Sequence, residues 1–238
     1  MDRINIIQRK LEELRNIDKR FSIFGSSSHK YQLKRTLDEN EIARIESENR
    51  IFISGEYRTI LKYLGNGGAG CGYGLESLTL KNISPPYVGT KRLLRNWKDP
   101  QKIDLEMVNI QEITGYIKLF DYGCGMETCL IVNGEEQGGL IFFDCDGRFE
   151  KIEGKSILDI YENWLDESTG TLKRVENKLR EMPLQEVIDS EWNLKNFSIK
   201  EMVLSIINAE PLQGVHSGNE VKEHLEKQYQ KWKNKTVN

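Results

Sequence analysis

Four runs of strand-forming residues, at 116–122, 126–132, 138–145 and 148–152, stand between glycine-bearing breaks in the middle of this chain. The breaks are Gly123-Cys124-Gly125, Asn133-Gly134 and Asp146-Gly147. Asn133-Gly134 is a strong hairpin signal, because both central residues of such a turn need φ > 0. The third run is nearly all apolar, as expected of a strand covered on both faces. This centre predicts a mostly antiparallel sheet. Helical patterns lie on either side of it.

Residues 2–18 read as an amphipathic helix, with Ile4, Ile7, Leu11 and Leu14 at helical spacing. Gly25-Ser26-Ser27-Ser28 reads as a loop. Thr36-Leu37-Asp38-Glu39 carries a capping-box pattern, with Thr36 as cap and Glu39 three residues later. Ile42 and Ile45 then give the apolar face of a short helix ending near Asn49. Ser54-Gly55-Glu56-Tyr57 opens another helix with Tyr57, Ile60, Leu61 and Leu64 inward, and Gly65 stops it. Ser156 caps a helix whose inner face is Ile157, Ile160, Tyr161, Trp164 and Leu165. Pro85-Pro86 marks an irregular connection, and residues 91–97 predict a short basic helix. Past Gly170 three helices are expected, at 171–182, 198–208 and 220–234, broken by Pro183 and by residues 211–218.

Between these patterns lies Gly65-Asn66-Gly67-Gly68-Ala69-Gly70-Cys71-Gly72-Tyr73-Gly74. Six glycines in ten residues mean a backbone with positive φ or close approach. At least one of Gly67, Gly68, Gly70, Gly72 and Gly74 is expected at φ > 0. A phosphate cradle is disfavoured: no Lys follows the glycines, and a helix rather than a strand precedes them.

The 238 residues are 38% hydrophobic and 30% charged, a globular balance with net charge −3. The charge is uneven. Residues 101–170 hold 15 acids against 5 bases, and the rest of the chain carries a net +7. An acidic middle suits a basic partner and not a nucleic acid. Arg9, Lys10, Glu12 and Glu13 interrupt any secretion-signal core, and no run approaches the ~18 apolar residues of a membrane span. A cytoplasmic location without membrane contact is the expectation. The four cysteines, at 71, 124, 129 and 145, make no C-x-x-C pair, so free and mostly buried thiols are expected ahead of a zinc site.

One segment resembles a catalytic motif. Leu140-Ile141-Phe142-Phe143-Asp144-Cys145-Asp146-Gly147 looks like the nucleophile strand of haloacid-dehalogenase-type phosphatases. Asp144 would attack phosphorus and Asp146 would act as acid and base, with magnesium. Arg148 departs from that pattern, and no later acidic metal pair is evident. His29, His216 and His224 sit in polar or loop-like stretches and read as surface residues, none paired with a nucleophile motif.

Several motifs taken together resemble the SUKH superfamily (Smi/Knr-type domains). Thr36-Leu37-Asp38-Glu39-Asn40-Glu41-Ile42, followed by Glu46, is similar to the first helix of those domains. Ser54-Gly55-Glu56-Tyr57 with Ile60-Leu61 is similar to their Leu-Pro-x-x-Tyr-x-x-Phe-Leu helix, with Ile53-Ser54 in place of Leu-Pro. The glycine-rich stretch resembles their glycine loop, with Cys71 where Pro is frequent. Tyr122-Gly123-Cys124-Gly125, Leu130-Ile131-Val132-Asn133-Gly134 and Gly138-Gly139-Leu140-Ile141-Phe142 with Asp144 resemble their paired strands. Tyr161, Trp164, Leu165 and Asp166 resemble their closing helix. The resemblance spans residues 36–167. It implies an α+β fold, a central mostly antiparallel sheet flanked by helices, and three regions: an N-terminal helix and loop at 1–35, a SUKH-like domain at 36–167 and a helical extension at 168–238.

The resemblance also implies a function without catalytic residues or cofactor. Bacterial members are mostly read as immunity proteins that bind and neutralise polymorphic toxins, often nucleases or deaminases. Glu127, Glu135, Glu136, Asp144, Asp146, Glu150 and Glu153 are the expected partner-binding residues, chosen by charge and hairpin position. A regulatory scaffold binding a cellular protein is the alternative reading, and a magnesium-dependent phosphatase at Asp144 and Asp146 a third.

Overall fold

The computed structural model describes residues 2–53, 55–79, 115–132, 137–146, 149–190, 199–210 and 218–236. Its sheet is a four-stranded antiparallel meander in the order β1-β2-β3-β4. The strands are β1 (Tyr116–Gly123), β2 (Met126–Ile131), β3 (Leu140–Phe143) and β4 (Phe149–Ile152). Each connection is shorter than the dozen or so residues that a parallel crossover requires, so antiparallel pairing is the available solution. The fold is α+β, with a helical C-terminal part.

Both faces of β3 are covered, as its apolar run implies. Leu140 joins Ile117, Leu119, Phe120 and Leu130 in the main core, together with Tyr57, Ile60, Leu61, Tyr161 and Leu165. Ile141 and Phe143 point the other way and cluster with Cys129 and Ile131.

The first half of the chain supplies α1 (Asp2–Ile17), α2 (Ser26–His29), α3 (Glu39–Asn49) and α4 (Gly55–Tyr63). The four α1 residues expected to face inward, Ile4, Ile7, Leu11 and Leu14, are all buried. The cap of α3 lies two residues beyond the expected one. Asp38 is the cap, bonded reciprocally with Glu41 at 2.8 and 2.9 Å. The reason is Leu37, which is buried and donates its N–H to the Leu61 carbonyl, holding the chain extended up to Asp38. Glu39 is left to pair with Arg58 and Lys62 on α4.

After the sheet comes α5 (Ile157–Glu181), capped by Ser156 in a box with Asp159. It runs through Gly170 without a break. A helical glycine costs about 1 kcal/mol relative to alanine. The buried stripe continuing through Ser168, Thr171, Leu172, Val175 and Leu179 outweighs that cost. The boundary expected at 167/168 therefore falls inside a helix. Alongside α5 lies α1, which joins both its halves: Arg3 pairs with Asp159 and Glu162, Lys10 with Glu162 and Asp166, and Glu13 with Lys173.

The helices α6 (Leu184–Ser190), α7 (Ile199–Ile206) and α8 (Gly218–Thr236) complete the described chain. Pro183 was expected only to break a helix, but its carbonyl also accepts the first hydrogen bond of α6, from Val187 N–H. The segment after α1 and the C-terminal helices are tied in by hydrogen bonds. Asp18, fully buried, accepts hydrogen bonds from Ser22 N–H, Ile23 N–H, the Tyr31 hydroxyl and the hydroxyl of Ser205 on α7. Tyr229 on α8 donates to the last turn of α5 at the carbonyls of Leu179 and Met182. No helix among the described residues is long and apolar enough to cross a membrane.

The glycine loop meets the expectation of at least one positive φ: Gly67, Gly68, Gly72 and Gly74 have it. The closest approach is between Gly25 and Gly72, where a Cβ on Gly25 would land inside the Gly72 carbonyl. This contact fastens the loop after α1 to the glycine loop, which is bonded in turn to β1 through Tyr73 N–H to Asp121 O and Glu76 N–H to Leu119 O. The expected irregular connection at Pro85-Pro86 and the basic helix at 91–97 lie outside the described residues.

Candidate binding surface

The acidic residues expected to bind a partner do not share one face. Glu127 lies on β2 opposite Asp121, and Phe143 is its partner on β3. Lys118 reaches both carboxylates at 2.8 Å. Burial works against the Lys118 charge, but the bonds to Asp121 and Glu127 prevail and raise its pKa. Burial likewise opposes ionisation of Asp121, yet Lys118 and the Gly123 N–H hold its pKa below the usual range. Glu127 and Asp121 thus share one lysine within the fold.

Glu150 pairs with Phe142, which pairs with Thr128. Strand alternation puts this row on the face opposite Glu127. Glu150 is exposed there. Asp144 and Asp146 lie in the turn after β3, where the Asp144 carboxylate accepts the Asp146 N–H at 2.9 Å. Glu153 follows β4, near the Leu140–Ile152 pair and so at the other end of the sheet. Glu135 and Glu136 lie outside the described residues.

What the fold does bring together is one end of the sheet. Gly123-Cys124-Gly125 closes β1 onto β2, and a Cβ on Gly125 would sit 3.9 Å from Cys145 Cα, between Asp144 and Asp146. On the other side of the same turn, a Cβ on Gly123 would lie 2.9 Å from the Tyr73 ring. Tyr73 is 46% exposed, and its ring centroid lies 5.3 Å from that of Phe24, which is 38% exposed. Two exposed aromatic rings therefore adjoin an acidic double turn.

Beside the aromatic pair is a cleft of about 320 Å³ lined by Phe24, Cys71, Tyr122, Lys155, Trp164 and Glu167, among others. Trp164, expected in the core, packs against the core and also lines this cleft. Cys71 is buried at the cleft, and burial pushes its thiol up to about 12, which leaves it protonated and unreactive. None of this was read from the sequence. A Phe directly before Gly25 and a Tyr between Gly72 and Gly74 were the available signals: large rings on chain that cannot bury them.

His29 corrects another expectation. It is 7% exposed, its ring edge-on to Trp164 at 5.8 Å, and Nδ1 accepts the Tyr31 N–H at 3.0 Å. Burial pushes its pKa down to about 4. His224 is exposed on α8 and hydrogen-bonded to the Glu210 carbonyl, while His216 lies outside the described residues. Among the described residues no hydroxyl or thiol is hydrogen-bonded to a histidine ring, and no three His, Cys, Asp or Glu are placed to hold a metal ion. Of the cysteines, Cys71 and Cys129 are buried and Cys124 and Cys145 exposed, so the expectation of mostly buried thiols holds for two of the four.

No protein-family model matches the chain, and neither a curated protein nor a solved structure matches it.

Proposed function

We propose that this chain is a non-catalytic binding protein of the SUKH type, an immunity protein that neutralises a toxin domain of the nuclease or deaminase class in the cytoplasm by covering it. The observation that carries the reading is the junction of Phe24 and Tyr73 with the Gly123–Gly125 and Asp144–Asp146 turns. Protein interfaces draw most of their affinity from a few buried aromatic anchors within a polar rim. Acidic groups beside such anchors speed encounter with a basic partner and set its orientation. Asp146, in the turn that adjoins the aromatic pair, and Glu150, exposed on β4, are the acids placed for that role.

The experiment is co-expression. Each gene adjacent to this chain's own is expressed in a heterologous host, alone and together with the chain. The reading expects one neighbour that arrests growth alone, is relieved by this chain, and co-purifies with it at fixed stoichiometry. Arrest by a neighbour that the chain neither relieves nor binds contradicts it.

A further inference from the structure

We propose that Cys124 and Cys145 form a reversible, hydroperoxide-sensitive disulfide that ties the β1–β2 turn to the turn after β3. Both thiols are exposed, whereas Cys71 and Cys129 are buried. The turns are neighbours: a Cβ on Gly125 would lie 3.9 Å from Cys145 Cα and 4.0 Å from its carbonyl oxygen. Cys124 is one peptide step from Gly125, about 3.8 Å between Cα atoms. Disulfides span Cα separations of roughly 4.4–6.8 Å, the scale on which these two turns approach each other.

Cys124 itself occupies a position that its residue type disfavours. Its φ is +52°, between Gly123 at +82° and Gly125 at +81°. Tight hairpin turns place Asn, Asp or Gly at such positions. A non-glycine residue held there costs energy, and such outliers gather at functional sites.

The chemistry balances. One thiolate attacks the peroxide, giving a sulfenic acid and hydroxide as the O–O bond breaks. The second thiol displaces water from the sulfenic sulfur, forming the S–S bond. Two thiols are oxidised by two electrons, one peroxide is reduced, and two waters leave. A dithiol reductant reverses the step by exchange.

The test treats the folded full chain with hydrogen peroxide and maps cysteines by mass spectrometry without reduction. The expected result is loss of two of the four free thiols, a peptide linking Cys124 to Cys145, restoration by dithiothreitol, and a higher Tm for the oxidised form. Cys145→Ser should yield instead a dimedone-trappable sulfenic acid at Cys124. Sulfinic acids accumulating at the two positions with no link between them, links only between separate molecules, or links to Cys71 or Cys129 would each overturn the proposal.

Discussion

Tyr161 on α5 donates its hydroxyl to the backbone carbonyl of Ala69 in the glycine loop at 2.6 Å, with both residues sealed from solvent. Tyr57 on α4 is equally buried, but its hydroxyl has no hydrogen-bond partner among the described residues. The same substitution is therefore expected to act differently at the two sites. Removing the Tyr161 hydroxyl breaks the bond to a buried carbonyl, and Tyr161→Phe should destabilise by about 1–3 kcal/mol. Tyr57→Phe removes a buried hydroxyl that bonds no described residue, and should be neutral or stabilising by up to about 1 kcal/mol. Urea unfolding of both variants reads the contrast, and equal losses would contradict it.

The glycines divide in a similar way. Ala at Gly25 has no room against the Gly72 carbonyl and must hold φ +76°, so Gly25→Ala should cost about 2 kcal/mol or more or prevent folding. Gly170 is in the middle of α5 with nothing within 4 Å of a Cβ. Gly170→Ala should stabilise by about 1 kcal/mol. Thermal denaturation of both variants separates a loop that needs glycine from a helix that only tolerates it. A destabilised Gly170→Ala would argue that α5 is interrupted there.

His29 predicts a pH dependence. Its pKa is about 4 folded against 6.5 as a free side chain, so the unfolded chain binds the extra proton between those values. The contribution to stability is complete above pH 6.5 and is lost as the pH falls toward 4, by at most about 3 kcal/mol. His29→Asn keeps an acceptor for the Tyr31 N–H and removes the titration. Its stability should vary less than that of the parent between pH 4 and 6.5, as measured by urea titrations across the range.

The sheet was legible because its information is local. Alternation, glycine turns and the apolar third run act within a few residues, and all four strands lie where these signals predict. The inner residues of α1 and α4 followed from helical spacing for the same reason. Errors arose where distant contacts decided. The α3 cap moved because Leu37 bonds to Leu61, and α5 crosses Gly170 because α1 supports both its halves. The candidate surface was legible only in its charges. Strand parity alone could have separated Glu127 from Glu150, but the pairing of Glu127 with Lys118 depends on β1–β2 register. The Phe24–Tyr73 pair unites residues 49 positions apart through a contact between Gly25 and Gly72, for which local patterning carries no signal.

The central claim is that this end of the sheet receives a basic protein. Once co-expression yields the partner, stopped-flow association at low and high salt tests it on the Asp146→Lys, Glu150→Lys double variant; Asp144 is left in place because it holds its turn. Association of the parent should slow markedly as salt rises, since charges farther apart than about 10 Å are screened at 0.1 M. The double variant should associate about tenfold more slowly at low salt, with a flatter salt dependence. Rates and salt dependence equal to those of the parent, in a variant that is fully folded, would contradict the claim.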